Sequence, residues 1–490
     1  MPCLNKFNKR ISYYQLDFWR KVLDLEGIVR QFFNDGTSKA EILEQITAIT
    51  GSKAKAEAIL TEIMNTENIT NDFIKNLCGF QPLGYSAGYT GLGCRGEGDF
   101  LIHRSLARII ENKGTIIDPL DQDDAGVVQV GEDYIIVSVD GMHSRLSHFP
   151  FLAGFHVARA TIRDTIVMGS EPKALFSDIH LANDGDVAKI FDYTAGISVV
   201  SEIANIPLIA GSTLRIGGDL VLGDRLTGCV GCVGFGRKIT PRRAVEPGDV
   251  LVMTEGSGGG TIATTALYND FSDIVEETLN LKIINFGLKL LADPILNKIH
   301  SITDITNGGL RGDAFELAST AGVKIVLFQT PFLELINPAV RGMLSKLNID
   351  PLGVSIDSLL IVLPEEYVEP LMNFIRDSGI KADVIGCVES RIIPGERYSD
   401  QENIAKAITK ECEVQLVRNN DALDSMSDNG LEIIDLKPQF REEPYTPIKK
   451  VVDIVPKNKE KIKVAIEKAI KNSLDKKIQL KDWMSNKGRV

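Results

Sequence analysis

The chain has 490 residues, long for a single domain, so two or three domains are expected. Apolar content of 44% and charged content of 24% are ordinary for a globular protein. A net charge of −12 argues against a protein built to grip nucleic acid, and no apolar run approaches the roughly 20 residues needed to span a membrane.

In chain order, the opening MPCLNKFNKRISYY lacks the apolar centre of a secretory leader. Seven scattered cysteines, an odd number, speak against a disulfide framework and for a reducing cytoplasm. Tyr13, Tyr14, Phe18 and Trp19 are expected to pack in a core or an interface. Residues 40–49 set Ile42, Leu43, Ile46 and Ile49 on one helical face, with Gly51 as a stop. Ser52 caps a second helix whose stripe is Ala56, Ile59, Leu60 and Ile63. Residues 1–82 thus read as a helical accessory module.

The next stretch, PLGYSAGYTGLGCRGEGD at 82–99, is glycine-rich, and glycine permits left-handed backbone and close approach to a ligand. No GK[ST] follows, so this is not a Walker A loop. A helix over 100–110 is expected to bury Ile102, Leu106, Ile109 and Ile110. Asp123 and Asp124 precede a short apolar run, Val127 and Val128. The β-branched run from Tyr134 to Val139 predicts a buried strand ending on Asp140. A helix from Phe155 carries Asp164 and ends at Met168-Gly169. Acidic side chains therefore recur near the ends of successive elements. Converging hard oxygen ligands suit Mg²⁺, which commonly also holds substrate phosphates, although aspartate is equally a favoured cap and turn former.

A strand at 174–181 and a helix at 187–203 follow, the helix with Ile190, Phe191, Ile197, Val200 and Ile203 inward. The strand at 206–210 runs into GSTLRIGGD. Cys229 and Cys232 form a CxxC on a strand-like run, where positions three apart face opposite ways and do not converge on a metal. A second unit opens with PGDVLVMTEGSGGG at 247–260, a strand, loop and helix start whose backbone N–H groups attract anions. DITNGGL at 304–310 places Asp304 before a Gly-Gly turn. Strands at 323–328, 358–363 and 382–387, with a helix at 365–376, indicate layered α/β architecture. Beyond residue 396 the chain turns polar, Lys437 to Pro447 holds three prolines, and 457–474 reads as a basic amphipathic helix with Ile462, Ala465, Ile466 and Ile470 inward.

DDAG at 123–126, the strand ending on Asp140, RDTIVMGSEP at 163–172, AGSTLRIGGD at 210–219, PGDVLVMTEGSGGG and DITNGGL occur in an order that resembles the aminoimidazole ribonucleotide (AIR) synthetase superfamily. Its members include selenophosphate synthetase, thiamine-monophosphate kinase, the hydrogenase-maturation dehydratase and formylglycinamidine synthase. The resemblance covers roughly residues 90–390. It implies an α/β (α+β) fold, a PurM-like two-domain core with mixed sheets. Residues 83–244 would form the ATP-binding and dimerisation domain and 245–396 a second α/β domain, with 1–82 and 397–490 as extensions that a protein partner could use. It further implies a homodimer, with ATP and Mg²⁺ as cofactors and a small-molecule phosphoryl acceptor. No membrane and no nucleic acid are expected.

By the same resemblance, Asp123, Asp124, Asp140, Asp164 and Asp304 would hold the metal. Gly91, Gly93, Gly96, Asp140, Arg163, Gly211, Ser212, Thr213, Gly258 and Gly259 would contact the nucleotide. Cys94, Arg95 and Asp164 would be catalytic. Lys173 is a further phosphate candidate. GLGCRG at 91–96 looks like the selenophosphate synthetase loop, with Cys94 at its nucleophile position and Arg95 where lysine is expected. Ser212 stands where several members carry an acidic residue and the selenophosphate branch a neutral one. Three readings stay open: an ATP-dependent kinase, synthetase or dehydratase; a cysteine-dependent selenium or sulfur phosphate synthase; and a non-catalytic nucleotide-binding scaffold or regulator.

Overall fold

A computed structural model describes residues 22–110, 114–392, 413–419, 431–439 and 459–486. Tyr13, Tyr14, Phe18, Trp19 and most of the proline-bearing 437–447 stretch lie outside the described residues. The described chain forms two mixed α/β layers, as the motif order implies. The first sheet has six strands in the order Thr115–Ile117, Gly126–Val130, Asp133–Gly141, Leu226–Gly236, Glu171–Leu181 and Leu208–Arg215. Its pairs are antiparallel except the last, which is parallel.

One face of this sheet is covered by the helices Pro150–Val167 and Ala188–Ala204. Period-2 alternation puts Ile136 and Ser138 under the helices, and the Ser138 hydroxyl meets Thr161 and Thr165 there. The two helices cross closely because each offers a glycine. A Cβ on Gly154 would stand 2.0 Å from the Tyr193 carbonyl oxygen, and one on Gly196 would stand 2.0 Å from that of Phe151. This crossing selects the buried stripe Tyr193, Gly196, Ile197 and Val200. Phe191 and Ile203, expected inward, are instead exposed, because they flank that stripe. The other face of the sheet presents Val128, Val130, Val137, Val139 and Phe235 to solvent.

The second sheet has seven strands in the order Ser301–Asp304, Leu359–Pro364, Asp249–Thr254, Ala382–Arg391, Val323–Phe328, Glu413–Asn419 and Leu431–Asp435. The last two come from the polar segment beyond residue 396, so this layer extends past that point. Its central strands are apolar on both sides because helices cover both faces. Leu251 and Met253 pack with the helices Gly260–Tyr268 and Gly309–Ala321, while Val252 packs with Lys282–Ala292 and Val368–Asp377. The two layers join where Gly287 lets Ile166 approach; a Cβ there would sit 2.6 Å from the isoleucine Cγ2.

Residues 25–67 form three helices around their own core of Leu25, Val29, Ile42, Ile46, Ala56, Ile59, Leu60 and Ile63. Ser38 and Glu41 make a capping box, Ser52 caps the third helix, and Gly51 ends the second at φ 68°. Val22–Asp24 tethers this module by pairing with Val221–Gly223. The helix after the glycine-rich stretch runs Glu97–Ala107. Leu106 and Ile110 are exposed rather than buried, because the helix is gripped on two other sides. Phe100 stacks on Phe315 at 5.7 Å, and Leu101, Ile102 and Ile109 meet the C-terminal helix Lys459–Asn486.

Candidate active site

Each candidate metal aspartate ends or flanks an element. Asp123 and Asp124 lie in the turn before Gly126–Val130, Asp140 near the end of its strand, Asp164 in the last turn of its helix, and Asp304 at the end of a second-sheet edge strand. The tertiary fold brings them within electrostatic reach of one another across the two layers. Burial pushes Asp164 well above the usual carboxylate range, and Asp140, Asp304 and Asp124 push it further. Burial raises Asp140 to about 6, with Asp304 adding to it. Asp123 rises to about 7 and Asp124 to about 6, again chiefly by burial, with Arg242 opposing both.

Three buried arginines organise this negative charge. Arg163 donates from Nε to Asp304 and lies 2.9 Å from Asp357. Arg159, one turn earlier, also donates to Asp357, and to the carbonyls of Gly258 at 2.7 Å and Asn280 at 3.0 Å. Burial would raise Asp357, but Arg163 and Arg159 outweigh it and hold the carboxyl well below its ordinary range. Arg242, fully buried in the turn between the layers, donates to Asp124 (2.5 Å), Thr303 (2.8 Å), Glu316 (3.2 Å) and the Gln122 carbonyl. Its own amide donates to Asp123 at 3.1 Å.

The fourth arginine comes from the glycine-rich loop. Arg95 reaches Asp313 at 3.0 Å, Thr306 at 3.1 Å and Glu316 at 3.3 Å. Burial pushes Asp313 up to about 8 even against this pairing. Arg95 sits at φ 51° and is held by its amide donating to Asp99 at 2.9 Å; the Gly93 amide donates to the same carboxylate at 2.9 Å. Gly308 of the Gly-Gly turn makes room for it: a Cβ there would meet the Arg95 Cβ at 2.8 Å. Gly91 closes the short helix Ala87–Thr90 in the left-handed region, and Gly96 caps the helix that follows. Cys94 is buried in the same loop, but the charge of its neighbour is spent on the acidic cluster.

Other candidates fall elsewhere. Gly258 and Gly259 back onto the Arg159–Asp357 pair, where a Cβ on Gly259 would lie 2.3 Å from the Asp357 carboxylate. Gly258 borders a cavity of about 250 Å³ between the layers, lined also by Arg163, Asn280, Lys282 and Asn337. Gly211, Ser212 and Thr213 are exposed on the outermost strand of the first sheet. That is three strand spacings from Asp140, or roughly 14 Å. Lys173 pairs with Glu171 at 2.6 Å at the start of its strand.

Sequence reading missed Arg159, Arg242, Asp313, Glu316 and Asp357. A signal existed for two of them, since Asp313 and Glu316 stand one turn apart on the helix that follows the Gly-Gly turn. Among the described residues no group of three or more His, Cys, Asp or Glu is arranged to hold a metal ion. Arg163 and Arg242 draw Asp304 and Asp124 into ion pairs instead. The donor chemistry still fits a hard divalent cation: all the candidate ligands are carboxylates, and the raised proton affinities of Asp140 and Asp164 mark a site short of positive charge. No described helix is long and apolar enough to cross a membrane.

Residues 122–235 match the family model described as AIR synthase related protein, N-terminal domain, and residues 246–393 match the corresponding C-terminal domain. An uncharacterized protein of Methanocaldococcus jannaschii is 43% identical over 93% of this chain and 97% of its own length. Thiamine-monophosphate kinase of Pyrococcus abyssi is 25% identical over 51% of this chain and 78% of that protein. A selenide, water dikinase of Geobacter metallireducens is 27% identical over 57% and 87%, respectively. Among solved structures, a chain of the HypE–HypF complex matches with a TM-score of 0.51 at 17% identity, covering 69% of this chain and 99% of that one. That likeness speaks for the fold alone.

Proposed function

Because this chain belongs to the AIR synthase related proteins, we propose that it is an ATP- and Mg²⁺-dependent enzyme that transfers phosphoryl groups to a small molecule. The observation that carries this reading is the convergence of Asp124, Asp140 and Asp164 from the first layer with Asp304 from the second. Phosphoryl transfer requires charge neutralisation and in-line positioning more than covalent help. Asp140, Asp164 and Asp304 would hold Mg²⁺, with Asp123 and Asp124 beside them, and the ion would neutralise polyphosphate oxygens. Arg95 and Arg163, paired with Asp313 and Glu316 and with Asp304 and Asp357, would hold those carboxylates in place beside the transferring phosphoryl. The cavity beside Arg163 would seat the acceptor.

The test is ADP against AMP release from Mg-ATP across a panel of small metabolites, with Cys94→Ser as companion. We expect ADP release and a variant that keeps most activity, because Arg95 is committed to Asp313 and Glu316 rather than to activating a thiolate. A loss above about a hundredfold, or ~2.7 kcal/mol, would instead place the nucleophile at Cys94. No nucleotide turnover, with intact nucleotide binding, would favour the scaffold reading.

The open apolar face of the first sheet supports a homodimer, since Val128, Val137, Val139 and Phe235 need a covering layer. Sedimentation at micromolar concentration is expected to give a dimer, and a stable monomer would contradict it.

A further inference from the structure

We propose that the C-terminal helix Lys459–Asn486 is a positioning element for the glycine-rich loop, holding Arg95 in the carboxylate cluster. The loop and the helix Glu97–Ala107 are one mechanical piece. Gly96 caps the helix directly, and Asp99 in its first turn accepts the amides of both Gly93 and Arg95. Displacing that helix therefore displaces Arg95. Asp99 is itself fixed: burial would raise its carboxyl, but hydrogen bonds from His103 and the Gly93 amide bring it below its ordinary range.

The C-terminal helix grips this piece along its length. Ile462, Ile466 and Ile470 recur at i, i+4 and i+8 and pack with Tyr85, Tyr89, Leu101, Ile102 and Ile109. Lys459 pairs with Glu97, Arg108 donates to Glu467 at 2.9 Å, and Lys477 donates to the Ile109 carbonyl at 2.9 Å. Its far half holds the segment ahead of the loop: Trp483 stacks on Phe73 at 5.3 Å, and Asn76 donates to Gln479 at 2.6 Å. Both flanks of residues 84–96 are thus fastened to one rod. Exposed ion pairs contribute little in water, so the isoleucine seam carries the grip. The rod and the loop both lie outside the residues matched by the two family domains.

The test uses the full chain carrying Ile462→Asp and Ile466→Asp, with Ile466→Ala as a milder companion. Amide hydrogen exchange and alkylation of Cys94 by iodoacetamide, mapped by mass spectrometry, report the loop without nucleotide. Exchange over 93–107 and Cys94 alkylation are expected to rise at least about tenfold, while strands 249–254 and 359–364 keep their protection. The milder variant should show the same pattern with a smaller change. Unchanged exchange over 93–107, whether or not the C-terminal helix itself loosens, would overturn the proposal. So would a uniform rise across all strands in the milder variant.

Discussion

Arg242→Met is expected to lower the unfolding free energy by about 3–5 kcal/mol, the cost of stranding buried carboxylates without their partner. Arg242 is the buried tie between the layers. It holds Asp124 and, through its amide, Asp123 on one side, and Thr303 and Glu316 on the other. Methionine fills similar volume, so the loss would report charge and hydrogen bonding rather than a cavity. The sign of the pH dependence follows from the raised carboxyls. Asp123 and Asp124, at about 7 and 6, are largely protonated at pH 5 and ionised at pH 8. The variant should therefore be hurt more at pH 8. Arg243→Met is the control, since its pair with Asp121 at 3.0 Å is partly exposed and should matter by less than about 1 kcal/mol. Urea midpoints of the three proteins at both pH values decide it. An Arg242→Met midpoint close to wild type at pH 8 would refute the tie.

Asp164→Asn is expected to weaken Mg-nucleotide binding by at least about a hundredfold, ~2.7 kcal/mol, while raising stability in the absence of metal. The two effects have one cause. Asp164 is buried against Asp140, Asp304 and Asp124, a crowding that suits a cation and strains the fold without one. A carboxyl whose folded pKa lies above its unfolded value, near 4, stabilises the fold below pH ~4. That contribution is lost as pH rises through the folded value, here about 6 for Asp140. Stability of the chelated wild type should thus fall between about pH 4 and 7, and Asp164→Asn should fall less. Calorimetry of Mg-nucleotide binding, with chelated melts at pH 5 and 8, separates the outcomes. Unchanged affinity would remove Asp164 from the site, and a variant less stable than wild type at pH 8 would show that its carboxylate is structural.

Much of the architecture was legible because local patterns are decided by short-range physics. The β-branched run at 134–139, the apolar stripe of residues 56–63 and the start of a helix after GSGGG all depend on neighbours within one or two turns. The buried faces of the helices at 97–107 and 188–204 were not legible in this way. A helix with apolar residues on several sides does not state which side finds a partner. Gly154 and Gly196, which decide one of those faces, matter only once the two helices meet.

The sequence by itself determined the layer type and the family and named the candidate aspartates, since each of these is written in periodicity or in an ordered set of motifs. Only the tertiary structure decided the counter-charges. Arg159, Arg242 and Asp357 carry no motif, and each acquires its role from a partner between 61 and 198 residues away. Burial then multiplies the effect, because a charge pair that is worth little in water becomes decisive where water is excluded. The placement of Ser212 on an exposed edge strand, and of the C-terminal helix against the glycine-rich loop, were likewise beyond the sequence. Long-range packing selects among faces and partners that local chemistry leaves equivalent.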